Sequence, residues 1–461
     1  SEVEYKVLGN RPVEGGSMDA MQRHENIPIV GLYESTKNLV ELKVTDSRGK
    51  VAYDTLEIDT DSAYVGNPLI TINLRNEALR EPGMYLADLH FGTTGFFNSR
   101  PAVFDADGKI RYQLDLSGFG TISWPLKRLS NGHFFFVNEG HLYEYSVLGE
   151  ELNDWSLGSF HAHHDFTEMP NGHLLIIAYR DGKNIQTATG SVQSVEDQII
   201  EFDPSTNSIL HEWDLTQLLD VDRTDLQDGG ADWFHANSVF YDETDQSIIV
   251  SGRNQGVIKM YWNNSLKWIL APHQGWGNAG PQGAGSPTSD YLLTAVDGNG
   301  NAYPDSIQSG VCYSGSFDWP FAQHCANVLP NGHLLLFDNG FNRRLDPNIL
   351  LVNRYSRIVE YDIHATNKTV SQVWEWGKAQ GFGLYSVIIS SAYQLPQTGN
   401  YLLGSGFIMA TTPLSARVIE LAGATKNPVF EAELSFKNAT GNGVFGWGTI
   451  DIMYRVTPFS F

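Results

Sequence analysis

The chain has 461 residues, enough for one large β domain and a smaller one. A hydrophobic content of 41% and an aromatic content of 12% predict a well-buried core rather than a disordered chain. The 53 acidic residues outnumber the 30 basic ones, and the net charge of -23 makes nucleic acids and anionic membranes poor partners. No apolar run approaches the roughly 20 residues of a membrane-spanning helix, so we expect no membrane insertion.

The first 83 residues do not fit the repeat found later in the chain. Segments Asn38–Thr45 and Val51–Ile58 alternate like two strands around a Ser-Arg-Gly-Lys turn. Glu81–Gly83 is a plausible boundary. We predict that residues 1–83 form a small N-terminal β-sandwich, with a seventh blade of the repeat domain as the alternative.

From residue 84 onward, a strand-turn-strand unit recurs six times. Its copies are Ala102–Leu116, His141–Leu157, Gln198–Leu215, Val257–Leu270, Arg357–Trp376 and Arg417–Leu434. A second hairpin precedes most copies, and Asn-Gly at several of its turns is a strong hairpin signal. Two hairpins per repeat make a four-stranded sheet, so an all-β six-bladed propeller is predicted over residues 84–461. Between the fourth and fifth blades, Ala271–Trp319 is interpreted as a long functional loop over one face of the ring.

Equivalent positions of the repeat predict a ring of side chains at the centre of the propeller. Counting back by the same number of residues from each second-hairpin turn gives Trp124, His164, His235, His324 and Ser390. The first strand of each blade lines the channel, so these side chains are expected to converge. Three further histidines lie on the turns and are interpreted as having no role in the chemistry; they are His133, His173 and His333.

An oxyanion-binding arrangement is predicted on blade four. Asn237 lies two residues after His235 and shares its face of the strand, and Arg253 falls directly across the hairpin. The alternative is that Arg253 pairs with a carboxylate elsewhere. No carboxylate occupies the ring positions, and Arg253 would oppose a cation, so no metal site is expected.

Four long blocks resemble the bacterial arylsulfate sulfotransferases; they are Phe234–Gln255, Trp268–Trp276, Gln323–Gly340 and Tyr355–Gly377. The similarity covers roughly residues 85 to 410. It implies a six-bladed propeller with an N-terminal β-sandwich, and a ping-pong transfer between small phenolic donors and acceptors without a nucleotide donor or other cofactor. It also implies a periplasmic or secreted location and a possible homodimer.

The same resemblance implies roles for individual residues. His324 matches the nucleophile that becomes N-sulfohistidine, and the sulfuryl-binding residues match His164, His235, Asn237 and Arg253. A family threonine corresponds to Ile389 by direct spacing or to Ser390 by repeat phase, and we choose Ser390 because it can donate. The family often carries a short-range disulfide before the nucleophile. Here Cys312 and Cys325 are the only cysteines, and they are either two thiols or one bridge.

Two other functions stay open at the level of sequence. A propeller polysaccharide lyase would use Arg253 and Asn237 to neutralise a uronate carboxylate and a histidine to abstract the sugar proton. A propeller without catalytic activity would serve as a binding scaffold. The long blocks favour sulfuryl transfer over both.

Overall fold

The computed structural model describes residues 28–45, 48–92, 97–195, 197–223, 230–346, 348–411, 414–437 and 450–461. Before the ring lie strands β1 (Lys37–Thr45), β2 (Val51–Asp59) and β3 (Leu69–Arg75). β1 and β2 form the predicted antiparallel hairpin, pairing Lys37 with Asp59 and Thr45 with Val51.

The strands of the first three blades follow in chain order. Blade one contains β4 (Met84–Gly92), β5 (Phe97–Ser99), β6 (Ala102–Phe104) and β7 (Ile110–Gln113). Blade two contains β8 (Trp124–Arg128), β9 (Phe134–Asn138), β10 (His141–Tyr145) and β11 (Glu151–Ser156). Blade three begins with β12 (Phe160–Glu168) and β13 (Leu174–Arg180), continues through a separate hairpin, β14 (Asn184–Thr187) and β15 (Gly190–Gln193), and ends with β16 (Gln198–Asp203) and β17 (Ser208–Asp214).

The other three blades complete the ring. Blade four contains β18 (Ala236–Asp242), β19 (Ser247–Gly252), β20 (Gly256–Tyr261) and β21 (Ser265–Leu270). Blade five contains β22 (Thr294–Ala295), β23 (His324–Val328), β24 (Leu334–Asp338), β25 (Arg357–His364) and β26 (Thr369–Trp376). Blade six contains β27 (Ser391–Gln394), β28 (Tyr401–Ile408), β29 (Ser415–Leu421) and β30 (Pro428–Ser435), and the final strand is β31 (Ile452–Phe459). These six sheets confirm the predicted six-bladed propeller.

Helical segments are short. The one α-helix of the described ranges is Asp305–Gln308. The 3-10 turns are Ser117–Phe119, Leu215–Gln217, Gly230–Asp232, Pro281–Gly283, Thr288–Tyr291, Arg343–Leu345, Leu351–Asn353 and Lys378–Leu384. Across the described part of the chain, no helix has the length and apolar character needed to cross a membrane.

Two strands, β3 and β31, complete blades whose other strands lie far away in the sequence. β31 pairs with β4 and becomes the inner strand of blade one, joining Ile452 to His90 and Phe459 to Met84. β3 pairs with β30 and becomes the outer strand of blade six. The ring is therefore closed by main-chain hydrogen bonds between segments that are far apart in sequence.

The position of β3 differs from the predicted domain arrangement. We assigned all of residues 1–83 to a β-sandwich, but β3 extends a propeller blade because β30 offers it an unpaired edge. Residues 1–27 lie outside the described ranges, so the sandwich and the boundary at residue 83 stay predictions. The described residues contain no seventh blade.

Neighbouring blades bury apolar side chains against each other. Between blades three and four, Ile177 and Ile199 pack in one core with Ile248 and Val250. A blade covered on both faces has nearly continuous apolar strands, such as β13 with its buried run from Leu174 to Ala178. This packing explains why the strands of the repeat are rich in Leu, Ile, Val and Phe.

The second-hairpin turns are stabilised by a repeated hydrogen bond between a histidine and a glutamate. His133, His173 and His333 place Nδ1 2.6, 2.6 and 2.5 Å from glutamate oxygens on the third strands of their blades. The glycine before each histidine has φ between +82° and +86°, which explains the Asn-Gly sequence. This structural pairing agrees with the interpretation that these histidines take no part in the chemistry.

The long segment Ala271–Trp319 does more than cross one face of the ring. Its strand β22 pairs in parallel with β26 and adds a fifth strand to the outer edge of blade five. Ile307, Phe317 and Trp319 from the same segment are buried with blades four and five. Much of this predicted loop is thus packed structure, because a segment of this length carries enough apolar residues to bury.

The closing junction leads to the first testable prediction. A Cβ added to Gly406 on β28 would lie 1.8 Å from the carbonyl oxygen of Met453 on β31. We expect Gly406→Ala to lower the free energy of unfolding by about 1–3 kcal/mol, as overpacked sites do. A Cβ at Gly118 meets nothing within 4 Å, so Gly118→Ala is the matched control. Urea unfolding of both variants measures the difference, and equal stability would contradict the described junction.

Candidate active site

The inner strands lose their regular register at the level where the predicted ring lies. Pairing shifts between Ala162 and Phe166, between Ala236 and Ser238, and between His324 and Asn327. Such bulges turn side chains out of the regular alternation. His164 and His235 accordingly have φ values of 58° and 57°, which are costly for residues other than glycine and are typical of functional sites.

His164 and His235 meet directly, as the repeat predicted. Their Nε2 atoms lie 2.9 Å apart. The other nitrogen of His164, Nδ1, lies 3.2 Å from the hydroxyl of Tyr454, and that hydroxyl donates to the carbonyl oxygen of His164 at 3.0 Å. Burial holds the pKa of Tyr454 far above its ordinary value, so the hydroxyl keeps its single proton.

These contacts assign the protons of both rings. The carbonyl oxygen of His164 is the nearer acceptor for the Tyr454 proton, so we assign the Nδ1 proton of His164 to the hydrogen bond with the hydroxyl oxygen. Burial, followed by the charge of His235, holds the pKa of His164 well below its ordinary value, so this ring is neutral and its Nε2 accepts. His235 must therefore donate from Nε2.

His235 also donates from its other nitrogen. Its Nδ1 lies 2.9 and 2.8 Å from the two carboxylate oxygens of Asp232, and a carboxylate only accepts. His235 thus lies between a second imidazole and a carboxylate, and a neighbouring carboxylate favours a second proton on its ring. The Asp232 side chain is 43% exposed, which places this pair of residues in contact with solvent.

His324 is held in a different state from His235. The Asn339 amide nitrogen donates to the carbonyl oxygens of Ser386 and Ile389, at 2.8 and 2.9 Å. This orientation turns the Asn339 amide oxygen toward His324, whose Nδ1 lies 2.8 Å away and must carry a proton. The backbone N–H of Ile389 donates to the opposite nitrogen, Nε2, at 3.2 Å. Nε2 is therefore the atom of His324 with a lone pair.

The electrostatic surroundings keep His324 neutral. Burial is the largest cause that lowers its pKa, and the charge of Arg253 lowers it further. The hydrogen bond to Asn339 opposes these effects without cancelling them, and the pKa lies well below its ordinary value. The charges of Arg253 and of His235 thus both act to lower the pKa of this ring.

Arg253 and Asn237 lie where the hairpin predicted them. The backbone N–H of Arg253 donates to the carbonyl oxygen of His235 at 2.9 Å, so the two residues are opposite each other. Asn237 is fully buried, and its amide nitrogen donates to the carbonyl oxygen of Gln323 at 2.8 Å. That nitrogen has two protons, so one is left for a ligand.

Ser390 does not reach the histidines with its hydroxyl. The hydroxyl lies 3.0 Å from that of Ser386 and accepts from the backbone N–H of Gly406 at 3.1 Å. Blade six instead meets His324 through the backbone N–H of Ile389. The substrate-binding role of Ser390 stays a prediction, and these contacts favour Ile389 as the residue next to the nucleophile.

Below the histidines, a buried ion pair joins three blades. Asp165 lies 2.7 Å from Lys127 Nζ and 2.8 Å from Arg455 Nη1. Arg455 also donates to the carbonyl oxygen of Asn237 at 2.8 Å. Asp165 thus makes its contacts with Lys127 and Arg455 rather than with the histidines. Trp124 packs on the other side of His164, with ring centroids 4.9 Å apart.

Four residues of the site were missed by the analysis of the sequence; they are Asp232, Asn339, Tyr454 and Arg455. Asp232 precedes His235 by three residues and could have been found as a carboxylate within reach of its ring. Tyr454 and Arg455 carry no signal of the repeat, because their strand completes blade one from the other end of the chain.

The two cysteines are free thiols. Cys312 is exposed, Cys325 is buried and both are free, so no disulfide joins them. The Cys325 thiol donates to the carbonyl oxygen of Ala392 at 3.5 Å.

Among the residues that the structure covers, no group of three or more His, Cys, Asp or Glu side chains is placed to hold a metal ion.

Comparison with solved structures gives only a weak likeness. A protein of unknown function from Bacteroides caccae has a TM-score of 0.45 and 11% sequence identity, and the match covers 82% of this chain and 100% of that one. The assignment of the propeller rests on the sheet topology described above.

Comparison of sequences is informative. The chain is 30% identical to the arylsulfate sulfotransferase AssT of Escherichia coli O6:H1, over 81% of this chain and 74% of that protein. It is 29% identical to the arylsulfate sulfotransferase AssT of Lelliottia amnigena, over 80% of this chain and 74% of that protein. The family model for arylsulfotransferase (ASST) matches residues 56–444. The chain therefore belongs to the arylsulfotransferase family and is an aryl sulfotransferase.

Proposed function

We propose that the enzyme moves a sulfuryl group from a phenolic sulfate ester to a phenolic acceptor through an N-sulfohistidine at His324. The observation that carries this proposal is the state of that ring. Asn339 holds the proton on Nδ1 and leaves a lone pair on Nε2, beside the cationic Arg253 and His235. A neutral imidazole within a positive field suits attack on an anionic sulfate ester.

In the first step, the Nε2 lone pair exchanges its hydrogen bond from the Ile389 backbone N–H for a bond to sulfur, while the bond from sulfur to the phenolic oxygen breaks. The departing phenolate takes the Nε2 proton of His235, and the resulting neutral phenol leaves the site. In the second step, the acceptor phenol returns a proton to His235 and attacks sulfur, and the bond to His324 breaks. The retained Nδ1 proton makes the sulfated ring cationic, which favours its departure from sulfur.

The remaining site residues stabilise negative charge on the sulfuryl oxygens. We assign this role to the guanidinium of Arg253, the second amide proton of Asn237 and the backbone N–H of Ile389. His164 positions His235 by accepting its Nε2 proton in the resting site. Attack and proton transfer are both assigned to side chains, so we propose that no cofactor takes part.

Location and assembly are proposed on the resemblance alone. We propose a periplasmic or secreted enzyme, and the two free cysteines add no support for an oxidising compartment. We also propose a homodimer, which analytical ultracentrifugation would test.

Intact mass tests the nucleophile. On brief mixing with 4-nitrophenyl sulfate and no acceptor, we expect a gain of about 80 Da, one sulfuryl group, on a peptide containing His324. His324→Ala should show neither the adduct nor 4-nitrophenol release. An adduct on a different residue, or wild-type turnover by the variant, would remove His324 from this role.

The lowered pKa values of His164 and His324 predict how pH acts. His324 stays unprotonated below about pH 6.5, so the acid limb of kcat/KM should lie below that value. The unfolded chain binds protons at these residues near pH 6.5 while the folded chain does so only at lower pH. The contribution of these two histidines to the free energy of unfolding is therefore complete above about pH 6.5, and it decreases as the pH falls below that value.

Rate profiles and urea unfolding between about pH 5 and about pH 8 measure both effects. His164→Gln should flatten the pH dependence of stability, because it removes one of the two titrating groups. An acid limb of kcat/KM centred at or above about pH 6.5 would contradict the assignment.

Asp232 provides a test of the proposed acid. Asp232→Asn removes the counter-ion that keeps His235 protonated, so leaving groups that need a proton should suffer most. We expect kcat/KM to fall about 10²-fold with phenyl sulfate and much less with 4-nitrophenyl sulfate. Asp154→Asn, which breaks the exposed pair with His141, is the matched control. Equal losses with the two donors would show that His235 is not the acid.

A further inference from the structure

A cavity of about 300 Å³ lies in the connection between β24 and β25. Its lining includes Gly340, Arg343, Arg344, Arg354 and Tyr355. Gly340 directly follows Asn339, the residue that holds His324 through its Nδ1 proton. The cavity thus begins one residue from the partner of the proposed nucleophile, and we call it the cation cavity.

The arginines of the cavity differ in whether a neighbouring carboxylate balances their charge. Arg343 is buried against Asp318 and Asp338, with nitrogen-to-oxygen distances of 3.2 and 2.9 Å. Arg344 has no carboxylate within 4 Å among the described residues, and its buried Nε has no hydrogen-bond partner there. Arg344 therefore brings a positive charge that no neighbouring carboxylate balances.

Lys378 lies beside the cavity, with Nζ 5.6 Å from the ring centroid of the lining residue Tyr355, and adds a second charge of this kind. Its Nζ lies 4.4 Å from the ring centroid of Tyr313, and the Arg344 guanidinium lies 4.1 Å from the same centroid. Lys378 likewise has no ion pair within the described ranges. The one carboxylate in the lining, Asp346, is exposed and accepts from the backbone N–H of Asn348. Arg344 and Lys378 together therefore bring more positive charge than this single carboxylate can balance.

The positive region continues to the sulfuryl site. The Arg253 guanidinium lies 5.3 Å from the ring centroid of Phe341, next to the cavity residue Gly340. Arg354 donates to the Tyr385 hydroxyl at 3.5 Å. Burial raises the pKa of Tyr385, and the charges of Arg354, Arg343 and Arg253 each oppose the rise, so all of them act on one hydroxyl.

We propose that the cation cavity binds a second anionic group, such as a carboxylate, carried on the aromatic ring of the substrate. The ring of the substrate would lie between Arg253 and Arg344, whose guanidinium groups lie over the rings of Phe341 and Tyr313. A protein with a net charge of -23 repels a dianion, and a local excess of cations offsets that repulsion. This inference rests on the proposed function, because it names the class of aryl sulfate that the same site prefers.

Two pairs of donors test the preference. The 3- and 4-carboxyphenyl sulfates are compared with the carbamoylphenyl sulfates, which have nearly the same shape without the second charge. We expect wild type to favour a carboxylate donor in kcat/KM. Arg344→Gln and Lys378→Gln should each lower the carboxylate-to-amide ratio about tenfold, as lost hydrogen bonds to a charged group do. Arg180→Gln, an exposed arginine paired with Glu212, should keep the wild-type ratio.

A binding measurement separates this inference from the proposed function. Calorimetry with unreactive sulfobenzoate and carbamoylbenzenesulfonate reports the carboxylate preference without any turnover. If no aryl sulfate is turned over but sulfobenzoate still binds more tightly in wild type than in Arg344→Gln, the proposed function fails and the cavity stands. Equal affinities and equal kcat/KM for charged and neutral partners, or the same loss in Arg180→Gln, would overturn the cation cavity.

Discussion

Closure of the ring by β31 is the constraint on which the site depends. This strand supplies the inner edge of blade one, and with it come Tyr454 and Arg455. Tyr454 sets the protons of His164, and Arg455 holds both Asp165 and the backbone of Asn237. Without closure, blade one would lack its inner strand and the histidines of blades three and four would lose the partners that orient them. The fold and the chemistry thus share one set of hydrogen bonds.

The repeat in the sequence predicted a large part of this arrangement, and its limits are physical. All six hairpins occur where they were expected, and His164, His235, Arg253 and His324 do come together, because equivalent inner strands face a common axis. The repeat phase was a poorer guide at Ser390, since the positive φ values of Ile389 and Ser390 turn the backbone of Ile389 toward His324 and the serine hydroxyl away from it. Contacts from β3 and β31 could not be predicted, because long-range pairing leaves no local pattern.

Charge is distributed unevenly in this acidic chain. The axis of the propeller gathers Lys127, Arg253 and Arg455, of which the first and last both pair with the single buried carboxylate of Asp165. Burial lowers the pKa of Lys127, and the ion pair with Asp165 opposes that effect. This buried cluster of two cations and one carboxylate contacts blade four, which carries His235 and Arg253, through the hydrogen bond from Arg455 to the carbonyl oxygen of Asn237. An anion entering from the open side meets positive charge that is already in place and needs little reorganisation.

Two chemically identical side chains receive opposite states from their neighbours. Asn339, held by two backbone carbonyls, offers His324 an uncharged acceptor. Burial lowers the pKa of His324, so the ring stays neutral with a lone pair on Nε2. Asp232 offers His235 a carboxylate instead, which favours the doubly protonated ring. A nucleophile and an acid need opposite protonation at the same pH, and a neutral amide beside one ring and a carboxylate beside the other supply it. Exchanging these two acceptors would therefore be expected to remove both functions while leaving every histidine in place.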